Sequence, residues 1–216
     1  MTDWSVLYKG YGIEMSPKVV DKQKKRDRII RAALKVFSDR GIADFKMIDI
    51  AKAAGIGKGT IYEYFSSKDD IITGCFEIFM HDFGDILTSG LGEKSNPKEK
   101  IINFFKLSFQ YFSQHQEAMS VLFDFLAAGI PRKHGTPLIP SIKNEYFEFQ
   151  KYLAIILEDG IKENYFKQHD TQTTALIILA VIDGLMFQAV LGVIDIEDKF
   201  LPDKISNTLL EGILNE

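Results

Sequence analysis

The stretch Asp49–Phe65, DIAKAAGIGKGTIYEYF, constrains this chain most, because its spacing describes two short helices meeting at a glycine. Met47, Ile50, Ala51 and Ala54 recur at helical intervals and form one apolar stripe, while Ile61 and Phe65 form another one turn apart. Between the stripes Gly55 must stop the first helix and take a positive φ, which glycine alone adopts without steric cost. Ala51 is small enough to let the helices approach, and Ile61 fills the angle between them. That is helix-turn-helix packing.

With Ile61 and Phe65 inward, the usual helical pitch turns Gly59, Thr60 and Glu63 outward, with Tyr62 and Tyr64 on the flanks. Such a short, polar and aromatic face suits a DNA major groove. Small residues at the helix start allow close backbone approach and hydroxyls reach phosphates. The helix N-terminus near Lys58 adds a partial positive charge.

The run Arg28–Ile72, RIIRAALKVFSDRG…IDIAKAAGIGKGTIYEYFSSKDDII, resembles the DNA-binding domain of TetR-type transcriptional regulators. The likeness covers three helices, the glycine turn, the KGTIYEYF recognition helix and the SKDD start of a fourth helix. It implies an all-α fold with an N-terminal three-helix helix-turn-helix domain, followed by an all-helical ligand-binding and dimerisation domain. The implied partners are a palindromic double-stranded DNA operator, a small-molecule effector, and a second copy paired through the last two helices. By position, Lys58, Gly59 and Thr60 lie over base edges and nearby phosphates, while Tyr62, Tyr64 and Lys68 hold the backbone. Tyr64 equally suits a packing role.

Three positions depart from the family pattern. Lys46 stands where a Ser or Thr usually caps the second helix, which keeps a phosphate partner but gives up about 1 kcal/mol of capping unless Asp44 substitutes. Gly57 replaces the usual cap of the recognition helix, at about a few tenths of a kcal/mol. Glu63 places a carboxylate on the groove face, where it either accepts from a cytosine amino group or sits at the edge paired to a cation.

An overall charge of −4 argues against nucleic acid until it is divided along the chain. From Lys18 to Lys68 there are 13 Lys and Arg against 6 Asp and Glu, and from Asp69 onward 12 against 22. The basic charge is concentrated where the motif is. A single cysteine, Cys75, excludes an intrachain disulfide, fits a reducing cytosol and reads as a small buried hydrophobe rather than a redox sensor. No positively charged leader precedes a long apolar run, and the most apolar segment, 175–193, is interrupted by Asp183 and Gly184. The expected location is cytoplasmic, with no membrane partner.

In chain order, residues 1–20 read as a flexible extension, 21–67 as the DNA-binding domain, 68–90 as a connecting helix and 91–216 as the ligand-binding and dimerisation domain. The first helix is expected from about Asp21 or Lys22 to Arg40, its first turns carrying Lys22, Lys24, Lys25, Arg26 and Arg28. These oppose the helix dipole and suit either phosphate or plain solvent. Further helices are expected over 98–115, 117–128, 141–160, 171–191 and 202–214, with 129–140 as a loop and 171–191 the most buried.

The later helices carry many aromatic side chains. Most must form core, yet an aromatic lining with a few polar groups also suits a flat or lipophilic ligand. Phe83, Phe105, Phe109, Phe112, Phe123, Tyr146, Phe149, Tyr152, Asp183 and Phe187 are the candidate lining. Of the polar groups, His81, His115, Asp183 and Gln188 read first as ordinary surface or satisfied residues. The four histidines lack paired metal spacing, so neither metal nor cofactor is expected. No G-x-S-x-G elbow, phosphate loop, dinucleotide fingerprint or H-E-x-x-H pair is present, and no enzyme is expected. The expected function is a ligand-released repressor. A ligand-binding protein or enzyme with a vestigial DNA module, and an activator of the same architecture, are the alternatives.

Overall fold

The computed structural model describes residues 17–41, 45–92, 95–116, 119, 123 and 138–215. Their regular elements are helices: α1 Pro17–Arg40, α2 Met47–Ala53, α3 Lys58–Tyr64, α4 Lys68–Gly90, α5 Pro97–Gln114, α6 Leu138–Lys162, α7 Thr171–Val190 and α8 Leu201–Glu211. An isolated antiparallel bridge, Phe166 with Leu214, is the extended pairing found among the described residues. The all-α expectation holds.

Local chemistry sets the helix ends. Gly41 stops α1 at φ +73°, its N–H donating to the Phe37 carbonyl at 2.7 Å. Ser67 caps α4 by accepting from the Asp70 N–H at 3.1 Å, and the Asp70 carboxylate accepts in return from the Ser66 N–H at 2.8 Å. Asn96 and Glu99 form a reciprocal capping box at the start of α5, with Pro97 in the first helical position. Asp170 caps α7 by accepting from the Gln172 and Thr173 N–H groups.

The chain forms two compact units, residues up to 82 with 117–142, and residues 83–116 with 143–216. In the first, Ile29, Ile30, Ala33 and Phe37 of α1 pack with Ile50 and Ala51 of α2, Ile61 of α3, Phe65, and Ile71 and Cys75 of α4. Phe45, unassigned from the sequence, is fully buried and packs tilted against Phe37 with ring centroids 4.6 Å apart. In the second, Phe104, Phe105, Leu153, Leu157, Phe166 and Leu210 are among the fully buried residues. There α8 packs on α5, joined by Lys106 and Asp203 at 2.8 Å.

Several expectations need correction. Helix α1 begins at Pro17, so its cluster of basic residues runs from the second turn to the start of the fourth and not through the first. Leu138–Pro140, expected in a loop, forms the first turn of α6, where proline lacks only a donor that a helix start leaves unpaired anyway. Segment 171–191 is not the most buried. Ala175, Ile178, Leu179, Ile182 and Met186 of α7 face inward, but Leu176 is 54 % and Phe187 48 % exposed, and Leu191 just beyond is 61 % exposed. Residues 17–20, expected in the extension, belong to α1, while residues 1–16, Asp44, and all of the expected helix 117–128 but Met119 and Phe123 lie outside the described residues.

Candidate nucleic-acid interface

The site rests on the turn between α2 and α3. Gly55 adopts φ +64°, the left-handed value its position demands, and its N–H donates to the Lys52 carbonyl at 3.1 Å. Ile61 and Phe65 are fully buried beneath α3, each burial stabilising the unit by about 1.5–3 kcal/mol. That anchoring leaves the opposite side of a two-turn helix free. Lys58, Gly59 and Glu63 are exposed, Thr60 is half-buried, and Tyr62 is 50 % exposed. At Gly59 an added Cβ would meet nothing within 4 Å, so the start of α3 is open to close approach.

Gly57 is the N-cap of α3 with extended backbone, φ −69° and ψ 153°, and offers no side-chain cap. The first N–H groups of α3 therefore keep donors for an anion or solvent. Lys46 is the N-cap of α2, and its own side chain caps nothing. Instead the Lys46 N–H donates to Asp49 Oδ2 at 3.0 Å, half of a capping box, and Arg40 lies 3.4 Å from the other Asp49 oxygen. Asp49 thus offsets part of the missing cap while the exposed Lys46 ammonium points outward.

Tyr64 is half-buried against the first unit's core, and Lys25 of α1 sits over its ring 5.7 Å from the centroid. A packing role is therefore present at Tyr64. Lys68, exposed at the start of α4, holds its ammonium 4.4 Å from the Phe45 ring centroid, an attraction that fixes its direction without neutralising it. Glu63 has no cationic partner within 4 Å among the described residues. Arg26 is turned inward onto Glu77, at 3.4 Å, and onto the Phe65 ring. Sequence reasoning left Arg26 with the solvent or phosphate face, because a long charged side chain gives no sign of which way it bends.

The described surface is thus a small polar and aromatic face on a rigid two-turn helix, ringed by Lys46, Lys58 and Lys68. Residues 29–75, which carry this entire arrangement, match the profile of bacterial regulatory proteins, tetR family. These residues form a DNA-binding domain of the TetR family. It is 26 % identical over 196 residues to the fatty acid metabolism regulator protein of Bacillus subtilis strain 168, covering 90 % of this chain and 96 % of that one. Its fold matches the fatty acid degradation regulator FadR of Bacillus halodurans at a TM-score of 0.74 and 26 % identity, over 93 % of this chain and 98 % of the other. It also matches the transcriptional regulator FadR of Bacillus subtilis, solved in complex with stearoyl-CoA, at a TM-score of 0.70 and 25 % identity, over 86 % and 98 %.

The second unit brings some of the candidate ligand residues together and separates others. Phe83 packs on Tyr111 and Phe112, each at 5.2 Å, and on Phe149 at 5.4 Å between ring centroids. Phe105 and Phe109 are buried, and Tyr152 is half-buried. Phe187 lies at the surface, Tyr146 is 39 % exposed with its hydroxyl turned in onto Asp183, and Phe123 belongs to the first unit. His115 is internally committed, its Nδ1 2.7 Å from the Tyr111 carbonyl. A separate cleft of about 350 Å3 is lined by Ser95, Asn96, Lys100, Asp159 and Glu163, and includes none of the aromatic candidates. Burial pushes the Cys75 thiol well up, as a core residue requires.

Proposed function

We propose that this chain is a homodimeric repressor that holds a palindromic operator through α3 and is released by a lipophilic acyl thioester. The observation that carries the DNA half is the division of α3 into a fully buried Ile61 edge and an outward Lys58, Gly59, Thr60, Tyr62 and Glu63 edge. Lys58, Gly59 and Thr60 read base edges and adjacent phosphates. Gly57, Lys46, Tyr62, Tyr64 and Lys68 position the backbone, and Glu63 takes a cytosine amino group. Two-fold pairing sets the recognition helices one DNA turn apart, about 34–36 Å.

Dimerisation runs through the last two helices. The exposed Leu176, Ile177, Phe187 and Val190 of α7, with Leu191 just beyond it, supply the apolar contact, and the outward Lys204, Asn207 and Thr208 of α8 its polar rim. The effector class follows the stearoyl-CoA complex of the Bacillus subtilis FadR. It suits an aromatic interior in which Phe83, Phe112 and Phe149 already touch. Binding acts by favouring a dimer whose recognition helices are wrongly spaced, a coupling of about 1–3 kcal/mol. Such a protein works in the cytoplasm, beside the chromosome.

Selection of bound fragments from host genomic DNA tests this reading. An inverted repeat whose retention falls steeply with salt supports it, as does its release by stearoyl-CoA at micromolar concentration. A chain that retains no fragment above background at low salt removes it.

A further inference from the structure

Arg26 of α1 sits at the meeting point of the helices that frame the recognition helix. Its guanidinium lies 5.1 Å from the centroid of Phe65, the residue that ends α3, and its Nη2 lies 3.4 Å from Glu77 Oε2 of α4. The opposite Glu77 oxygen accepts from the Ser141 hydroxyl, in the first turns of α6, at 3.3 Å. Between Arg26 and Glu77, α4 presents Gly74. A Cβ there would stand 3.0 Å from Ile30, 3.1 Å from Arg26 and 3.3 Å from the Phe65 ring. The missing side chain is the space the guanidinium and the ring occupy. All of these residues lie within the first unit.

We propose that Arg26, held by Glu77, is a positioning residue for operator recognition, a bracket that sets the angle at which α3 leaves α4, and not a phosphate contact. The planar guanidinium stacks on one partner while its edge bonds the other, a division of labour an ammonium cannot reproduce. Ser141 orients the Glu77 carboxylate and so brings the start of α6 into the same bracket. The proposal rests on the DNA-binding reading above, and it assigns roles to three residues outside the recognition helix.

The test measures full-length chain binding to its selected operator fragment and to random duplex across a salt series, with a melting curve for each variant. Arg26→Lys keeps the charge and loses the fork. It is expected to weaken operator binding roughly tenfold, the size of an ordinary coupling between contacting residues, with unchanged salt slope and unchanged affinity for random duplex. Glu77→Gln removes a negative charge from a DNA-binding surface, so pure electrostatics requires tighter binding, whereas the bracket requires weaker operator binding. The double variant should lose no more than either single one.

Three outcomes overturn the proposal: a salt slope that falls by about one with equal loss on random duplex, tighter operator binding by Glu77→Gln, or operator affinity unchanged in both variants. Loss of operator affinity matched by an equal drop in melting temperature overturns it as well, since it leaves only a structural role. A wild-type chain that binds neither duplex overturns the DNA-binding reading itself, and the wild-type titration alone reveals it.

Discussion

The Tyr146 hydroxyl donates to Asp183 Oδ2 across 2.7 Å and so joins α6 to α7 within the second unit. Desolvation raises the Asp183 carboxyl above its ordinary range, the Tyr146 hydrogen bond opposing this, and the phenol is pushed up by burial and then by the Asp183 charge. A carboxyl raised on folding stabilises the fold below its unfolded value, and that stability is lost as pH rises through the folded value. Asp183→Asn should remove this dependence. Urea midpoints at about pH 4.5 and about pH 7 should show wild type gaining on acidification relative to the variant, and parallel midpoints would count against the assignment.

Gly160 of α6 has no room for a side chain. A Cβ there would overlap the ring of the buried Phe166 and stand 3.1 Å from Pro97. The bridge to Leu214 fixes the Phe166 backbone, so relief must come from the ring itself turning within a buried site. Gly160→Ala should therefore destabilise the second unit by about 1–3 kcal/mol, the usual range for an overfilled core. Chemical denaturation followed by tryptophan-independent circular dichroism reads it, and an unchanged midpoint would show that the ring gives way freely.

Lys68 and Thr60 should behave differently toward DNA. Lys68→Ala is expected to weaken operator and random duplex alike and to lower the salt slope by about one. Thr60→Ala should instead redistribute preference among operator variants at similar overall stability. Fluorescence anisotropy on a panel of single-base operator changes separates the two, and a pair of variants that only melt earlier would place both residues in the wrong role.

On α7, Leu176 and Phe187 belong to an exposed apolar face. Leu176→Glu combined with Phe187→Glu should give a folded monomer by light scattering, with operator affinity collapsing because half-sites are then bound singly. Retained dimers in that variant would move the contact to another surface.

Much of this was legible beforehand for physical reasons. The α2–turn–α3 unit was readable because Gly55, Ala51 and Ile61 each have one sterically acceptable role, and the left-handed φ of Gly55 is as required. The helix start at Ser67 is readable from a polar cap followed by acids, whereas the caps Asn96 and Asp170 were not singled out from the sequence. The exposure of α7 was not readable, since an apolar run gives the same pattern whether its neighbours belong to its own chain or to another. Nor was the help that Asp49 gives Lys46, because a capping box is recognised by a Ser or Thr at its first position, and Lys46 is neither. Proline at 140 pointed to a loop, although the first turn of a helix tolerates it as well.

Cys75 lies in the core with its Sγ 3.9 Å from the Ile30 carbonyl, and it is the chain's sole cysteine. Peroxide and alkylating reagents attack the thiolate, and this sulfur is both shielded and held protonated. Regulation by oxidants therefore has no foothold at cysteine in this protein. The same shielding makes it a ready background for spectroscopy: a cysteine placed on the surface, at Tyr62 for instance, would be the one reactive thiol per chain and would accept a spin label without first removing the native one.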